Sequence, residues 1–268
     1  MYDRLHALLS DRTGGAVFSC FGLFHLGYLC LLFITVLILT LVLRSNAPAF
    51  HRRFLDHTVG LAFALYLADF FLMPFAYGEI DLEKLPFHIC TLSCVLCFLS
   101  RHRTPLARWK DPLTVLVLVG NLIYACYPAG IAWYQIHPLS YRAVQTLLFH
   151  GVMVVYAILA LALKDVRLTS LKQSRHELLL LTAMAAWAML GNALYNGTYQ
   201  GKTHCYNWFF VLRDPFYLLP ENIAPYLMPL VMIAVLYIGV LLVYGMVFLI
   251  RRLFREYRKT ENVPSNKI

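Results

Sequence analysis

The chain has 268 residues, of which 60% are hydrophobic and only 14% charged, and its mean hydropathy is +0.64. Soluble domains carry roughly a quarter charged residues, so a soluble globular protein is excluded. The net charge of +9 lies in short runs between long uncharged stretches, which points to anionic lipid headgroups and away from nucleic acid.

The expected fold class is all-α, a polytopic membrane helix bundle. Near the start, DRLHALLSDR (3–12) reads as a short interfacial helix. The apolar stretch 16–43 is far longer than the roughly 7–15-residue core of a cleaved signal peptide, so it reads as a retained first span. A helix needs about 20 apolar residues to cross the bilayer core, and further candidates occur at 58–77, 86–100, 112–130, 143–163, 177–196 and 225–250. The third is short for a span, so it should start a turn earlier, tilt, or be surrounded by protein.

Charges between the spans set orientation. Arg44, Arg52 and Arg53 follow span one; Arg101, Arg103, Arg108 and Lys110 follow span three. Lys164, Arg167, Lys172 and Arg175 follow span five, and Arg251, Arg252, Arg255, Arg258 and Lys259 follow span seven. The alternate loops are acidic or nearly uncharged. Lys and Arg concentrate on the cytoplasmic side, so seven spans are expected, with the N-terminus outside and the C-terminus cytoplasmic. Residues 1–254 then form the transmembrane domain and 255–268 a polar, disordered cytoplasmic tail. The setting is a bacterial plasma membrane, or an endomembrane if the source is eukaryotic.

The seven cysteines do not form a disulfide framework. Cys90, Cys94 and Cys97 lie at i, i+4 and i+7, one helical stripe that reads as a packing face. No Cys/His spacing suggests a metal site, and no cofactor is expected. NGT (196–198) is a glycosylation sequon too close to a span end for use to be expected.

Polar groups inside spans are costly and mark bundle interiors or cavities. At 1.5 Å per residue, His88 and Cys90 fall within about 6 Å of the outer end of span three, and His150 about 10 Å below that of span five. Asn192 is about one turn from the outer end of span six. Asn121 and Asp69 fall near the middles of spans four and two, Asp69 being the only acid expected inside a span. These residues predict a site in the outer half of the membrane that combines a thiol with imidazoles, the partners of nucleophilic catalysis. For any one of them alone, hydrogen-bonded packing is the competing reading. The following loop, NWFFVLRDPFYLLPENIAPY (207–226), is rich in aromatics and prolines and reads as an interfacial lid. Its Arg213 and Asp214 can address a lipid headgroup or stay in water.

LPFHIC (85–90), GN (120–121), FHG (149–151) and NWFFVLRDPFY (207–217), taken in order, resemble the YwaF-like bacterial membrane proteins and the related eukaryotic transmembrane protein 164 family. The likeness covers about residues 85–230. It implies a multi-pass bundle and, for the eukaryotic members, acyl transfer to lysophospholipids through a cysteine and a histidine. His88, His150, Asn207 and Pro215 match the motif. The eukaryotic cysteine immediately precedes the first histidine, where this chain has Phe87; here Cys90 follows two positions later, as in the bacterial members. Two residues along a helix turn the side chain by roughly 200°.

The leading expectation is therefore a lipid-modifying enzyme, a phospholipid or lysophospholipid acyltransferase. Cys90, His150 and His88 are its candidate catalytic residues, and Asn121, Asn192, Asn207, Asp69 and Arg213 its candidate substrate-binding residues. Membrane lipid and an acyl-donor lipid are the expected partners; the oligomeric state is left open. The alternative is a transporter or another non-catalytic seven-span protein, against which stand the scarcity of intramembrane acids and the lack of a visible repeat.

Overall fold

Apolar runs long enough for a bilayer become helices here because a helix satisfies its own backbone groups in lipid. The computed structural model describes residues 9, 16–78, 80–102, 105–134, 136–199, 202–215 and 218–261. Among them, seven long helices follow in order: α1 (Leu23–Leu43), α2 (Pro48–Tyr77), α3 (Ile89–Arg101), α4 (Lys110–Cys126), α5 (Tyr141–Ala162), α6 (Arg175–Tyr195) and α7 (Ala224–Glu261). A small hairpin pairs Gly197–Tyr199 with Lys202–His204 in antiparallel register. Six helices are long and apolar enough to cross a membrane, whereas α3 has 13 residues. The protein is an integral, multi-pass membrane protein.

Local chemistry sets the helix ends. Pro48 opens α2 at its first turn, where a missing N–H is no loss, and Gly78 closes it at φ 74°, a conformation glycine adopts without strain. The Ser140 hydroxyl accepts from the Ala143 N–H and caps α5. Tyr127–Pro128 ends α4 four residues before the expected boundary at 130.

Several expectations are corrected. The second helix begins ten residues before the expected span at 58, taking in Arg52, Arg53 and Asp56. The third starts three residues after the expected 86, not a turn earlier. Its Ser93, Cys94, Cys97 and Ser100 form one buried face, while its other positions are half-buried and Leu99 is exposed, so it packs through one face and is not surrounded by protein. The last helix continues to Glu261, through half of the expected disordered tail; 262–268 lie outside the described residues. Of the expected interfacial helix at 3–12, only Leu9 is described, packed near Met73.

The core centres on α4 and α5. On α4 the run Pro112–Asn121 is buried on every side, while α1 buries only His25 and Leu43 and turns large apolar residues such as Leu31, Phe33 and Leu41 outward. A helix that is apolar all round belongs either inside a protein or in lipid, and this bundle contains one of each. Gly239 lets α7 approach α4, since a Cβ there would lie 2.7 Å from the Val119 side chain.

The bundle has two chemically distinct ends. At one, which we call the basic end, the side chain of Arg101, 3% exposed, reaches Asp56 at 2.5 Å and Asp165 at 2.8 Å. Lys110 joins Asp165 at 3.2 Å, and Arg251 donates to the Leu168 carbonyl. At the opposite, lid end, the segment 206–215 folds against the N-terminus of α3 and the C-terminus of α6.

Candidate functional site

Four candidate residues meet at the lid end. On α4, the Asn121 Nδ2 donates to the Val117 carbonyl at 2.8 Å, which fixes the amide so that Oδ1 faces α5. The His150 Nδ1 lies 2.7 Å from that Oδ1. An amide oxygen only accepts, so Nδ1 carries the proton and Nε2 keeps its lone pair; no described residue bonds Nε2. The Tyr124 ring stacks on the imidazole at 3.7 Å and 16°. Tyr124 sits three residues after Asn121 on the same face of α4 and lies within electrostatic reach of Cys90.

His88 is the N-cap residue of α3. The Phe209 N–H donates to its Nδ1 at 3.3 Å, which places the proton on Nε2. The two imidazoles, within electrostatic reach of one another, are thus held in opposite tautomers. His150 offers a lone pair at Nε2, and His88 offers an N–H.

Cys90, the second residue of α3, is partly exposed, and no described residue hydrogen-bonds its thiol. Cys94 and Cys97 are fully buried, and Cys97 Sγ donates to the Tyr156 hydroxyl at 3.2 Å. Phe87 packs into an aromatic box with Trp187, Trp208 and Tyr195. Its ring lies so close to Gly191 that a Cβ there would be 2.5 Å away. The position that holds a cysteine in the eukaryotic motif is therefore a packing position in this chain.

The other candidates build the frame. Asn192 donates to the Trp208 carbonyl at 3.2 Å and accepts from the Trp208 N–H at 3.1 Å. One turn on, Asn196 does the same to Tyr206, at 3.0 and 2.5 Å. This pair of amides grips the lid backbone as a neighbouring β-strand would, and it engages the nitrogen of the sequon. Asn207 accepts from the Leu212 and Arg213 N–H groups and donates to the Arg213 carbonyl, closing a turn. The Arg213 side chain is exposed. Asp69 pairs with Lys84 of the loop before α3 at 2.7 Å, and the Lys84 ammonium lies within electrostatic reach of both imidazoles. Asn121 is not mid-helix as expected: it lies five residues from the end of α4, because that helix stops at Cys126.

The lid carries backbone strain. Phe209 and Phe210 have φ of 59° and 53°, a left-handed conformation costing about 1–2 kcal/mol for a residue with a Cβ. The Asn192 clasp, the Asn207 turn and the His88 bond hold them there. Strain concentrated beside an imidazole marks a functional site more often than a plain loop.

Sequence reasoning missed three further residues. Tyr124 was legible from its spacing to Asn121. His25 is fully buried in α1; its Nδ1 accepts from the Phe21 N–H and its Nε2 donates to the Ala125 carbonyl, so it is a satisfied structural group. Glu177 corrects the expectation that Asp69 is the only acid inside a span: it is 1% exposed on α6 and accepts from the Tyr244 hydroxyl at 2.8 Å.

Among the described residues no group of three His, Cys, Asp or Glu has metal-holding geometry. No curated protein and no solved structure shows significant similarity to the chain. The family model described as TMEM164 family matches residues 20–249, including every element that builds the lid end. The chain belongs to the TMEM164 family.

Proposed function

We propose that the protein is a phospholipid acyltransferase working from the lid end, with seven helices crossing the bilayer, the N-terminus and the lid outside, and the basic end in the cytoplasm. The observation that carries this reading is the pair of imidazoles in opposite tautomers, one fixed by Asn121 and the other by the lid backbone. The concentration of Lys and Arg at the other end supports the orientation.

In this mechanism the Cys90 thiol gives its proton to His150 Nε2, and the thiolate attacks the ester carbonyl of a donor phospholipid. The His88 Nε2–H is the donor available to the developing oxyanion. The ester C–O bond breaks, the departing lysophospholipid takes the proton from His150, and an acyl thioester remains on Cys90. A second lysophospholipid hydroxyl then gives its proton to His150, attacks the thioester and releases the thiol. Asn121 keeps His150 in the tautomer each transfer needs, as the third member of a nucleophile–base–orienter set.

A donor phospholipid with an alkyne-tagged acyl chain tests the covalent step. The wild-type protein should acquire hydroxylamine-labile label, Cys90→Ser should lose it, and Cys94→Ser should keep it. Lipid turnover with no protein-bound acyl group after rapid quenching would overturn this route.

A further inference from the structure

At the basic end, far from the imidazoles, two neighbouring grooves run between α7 and the strip Thr169–Arg175. The first, about 370 Å³, is lined by Thr169, Phe248, Arg251 and Arg252. The second, about 290 Å³, has Lys172 and Arg175 at its rim and Tyr237 and Leu241 on its wall. In each, two cations stand above apolar surface.

The sequence of α7 explains the arrangement. Tyr237, Leu241, Phe248 and Arg251 follow helical spacing, so one stripe runs from aromatic and aliphatic side chains to a guanidinium. From Tyr237 to Arg251 it spans about 21 Å, roughly half of a 30 Å hydrocarbon core plus a headgroup layer. The far end is closed where the Ser174 and Tyr237 hydroxyls meet at 2.8 Å. The bond to the Leu168 carbonyl anchors Arg251 through one nitrogen, leaving other donors of its planar fork for a phosphate. Glu256 pairs with Arg252 at 3.0 Å, and Glu177 of α6 accepts from Tyr244 between the two grooves, so these acids offset part of the local positive charge.

We propose that this track is a binding site for one anionic glycerophospholipid, its phosphate at Arg251 and Arg252, the two cations of the first groove, and its acyl chains along Phe248, Leu241 and Tyr237. A soluble phosphate would use the cations and leave the apolar stripe without a role. The site is separate from the proposed acyl-transfer centre and stands without it.

The test is native mass spectrometry of the full chain released from nanodiscs containing phosphatidylglycerol and phosphatidylcholine. Wild type should retain phosphatidylglycerol in preference to phosphatidylcholine, and Arg251→Gln/Arg252→Gln should lower that preference by about tenfold. Arg44→Gln/Arg53→Gln, which removes the same charge from exposed positions elsewhere at this end, should leave it unchanged. If the Arg251 variant folds poorly, Arg252→Gln/Lys172→Gln supplies the same comparison with the Leu168 anchor intact. Equal retention of both lipids, equal losses in the groove and control variants, or displacement of the lipid by millimolar inorganic phosphate would each overturn the assignment.

Discussion

At the basic end, Arg101 is nearly buried yet holds two carboxylates, and Lys110 shares one of them. At the lid end, Asn121 and Tyr124 hold His150 by a hydrogen bond and ring stacking, and the Phe209 N–H holds His88. Ion pairs are rigid, but their members are already committed, and removing one partner strands a charge. Neutral imidazoles held by amides keep a lone pair and an N–H available. The difference separates an ion-paired end from an end whose imidazoles keep hydrogen-bonding capacity free, as the proposed acyl transfer requires. On the lid side, the Lys84–Asp69 ion pair ties down the loop that delivers His88.

The comparison is broken most forcefully at Arg101. Arg101→Ala leaves Asp165, 6% exposed, with Lys110 as its remaining cation, and should destabilise the fold by up to about 3 kcal/mol, read as lost folded yield in detergent. A folded, thermally unchanged variant would show that these ion pairs do not hold the basic end together.

A more local effect is expected at the lid clasp. Asn192→Ala leaves the Trp208 N–H and carbonyl unmatched, a loss of about 1–3 kcal/mol. Hydrogen exchange should quicken at Trp208, with the helices unaffected. Uniform quickening across α6 would instead make Asn192 part of the general core.

The smallest effect concerns pH. Burial pushes the Asp165 carboxyl up, but Arg101 and Lys110 outweigh it and hold it below the usual carboxylate range. A depressed folded value means that its stabilisation is complete above the ordinary Asp value of about 3.9 and is lost as pH falls below that value through the lowered one. Asp165→Asn should flatten the acid limb of a melting-temperature profile; an unchanged limb would mean that other carboxylates govern it.

Much of the lid end is legible in the sequence. Helical rise placed His88, Cys90 and Asn192 near one end of their helices and His150 in the same half of its own, and the aromatic run at 207–217 announced a lid. What sequence periodicity cannot convey is which apolar helix faces lipid and which faces protein: α1 and α4 read alike, and only packing makes α4 the core. Nor does it show that Asn192 and Asn196 serve the Trp208 and Tyr206 backbones, because that depends on where a loop returns after a hairpin. Glu177 opens a helix after a run of cations, and only the fold shows that it is buried against Tyr244.

The claim that the lid end carries the chemistry is tested most directly by per-molecule acyl transfer between phospholipids in vesicles, comparing wild type with His150→Ala at matched folded amount and melting temperature. Loss of a general base predicts turnover lower by about 10²–10⁴-fold in a protein that still inserts and melts normally. Undiminished turnover by well-folded His150→Ala would contradict the account.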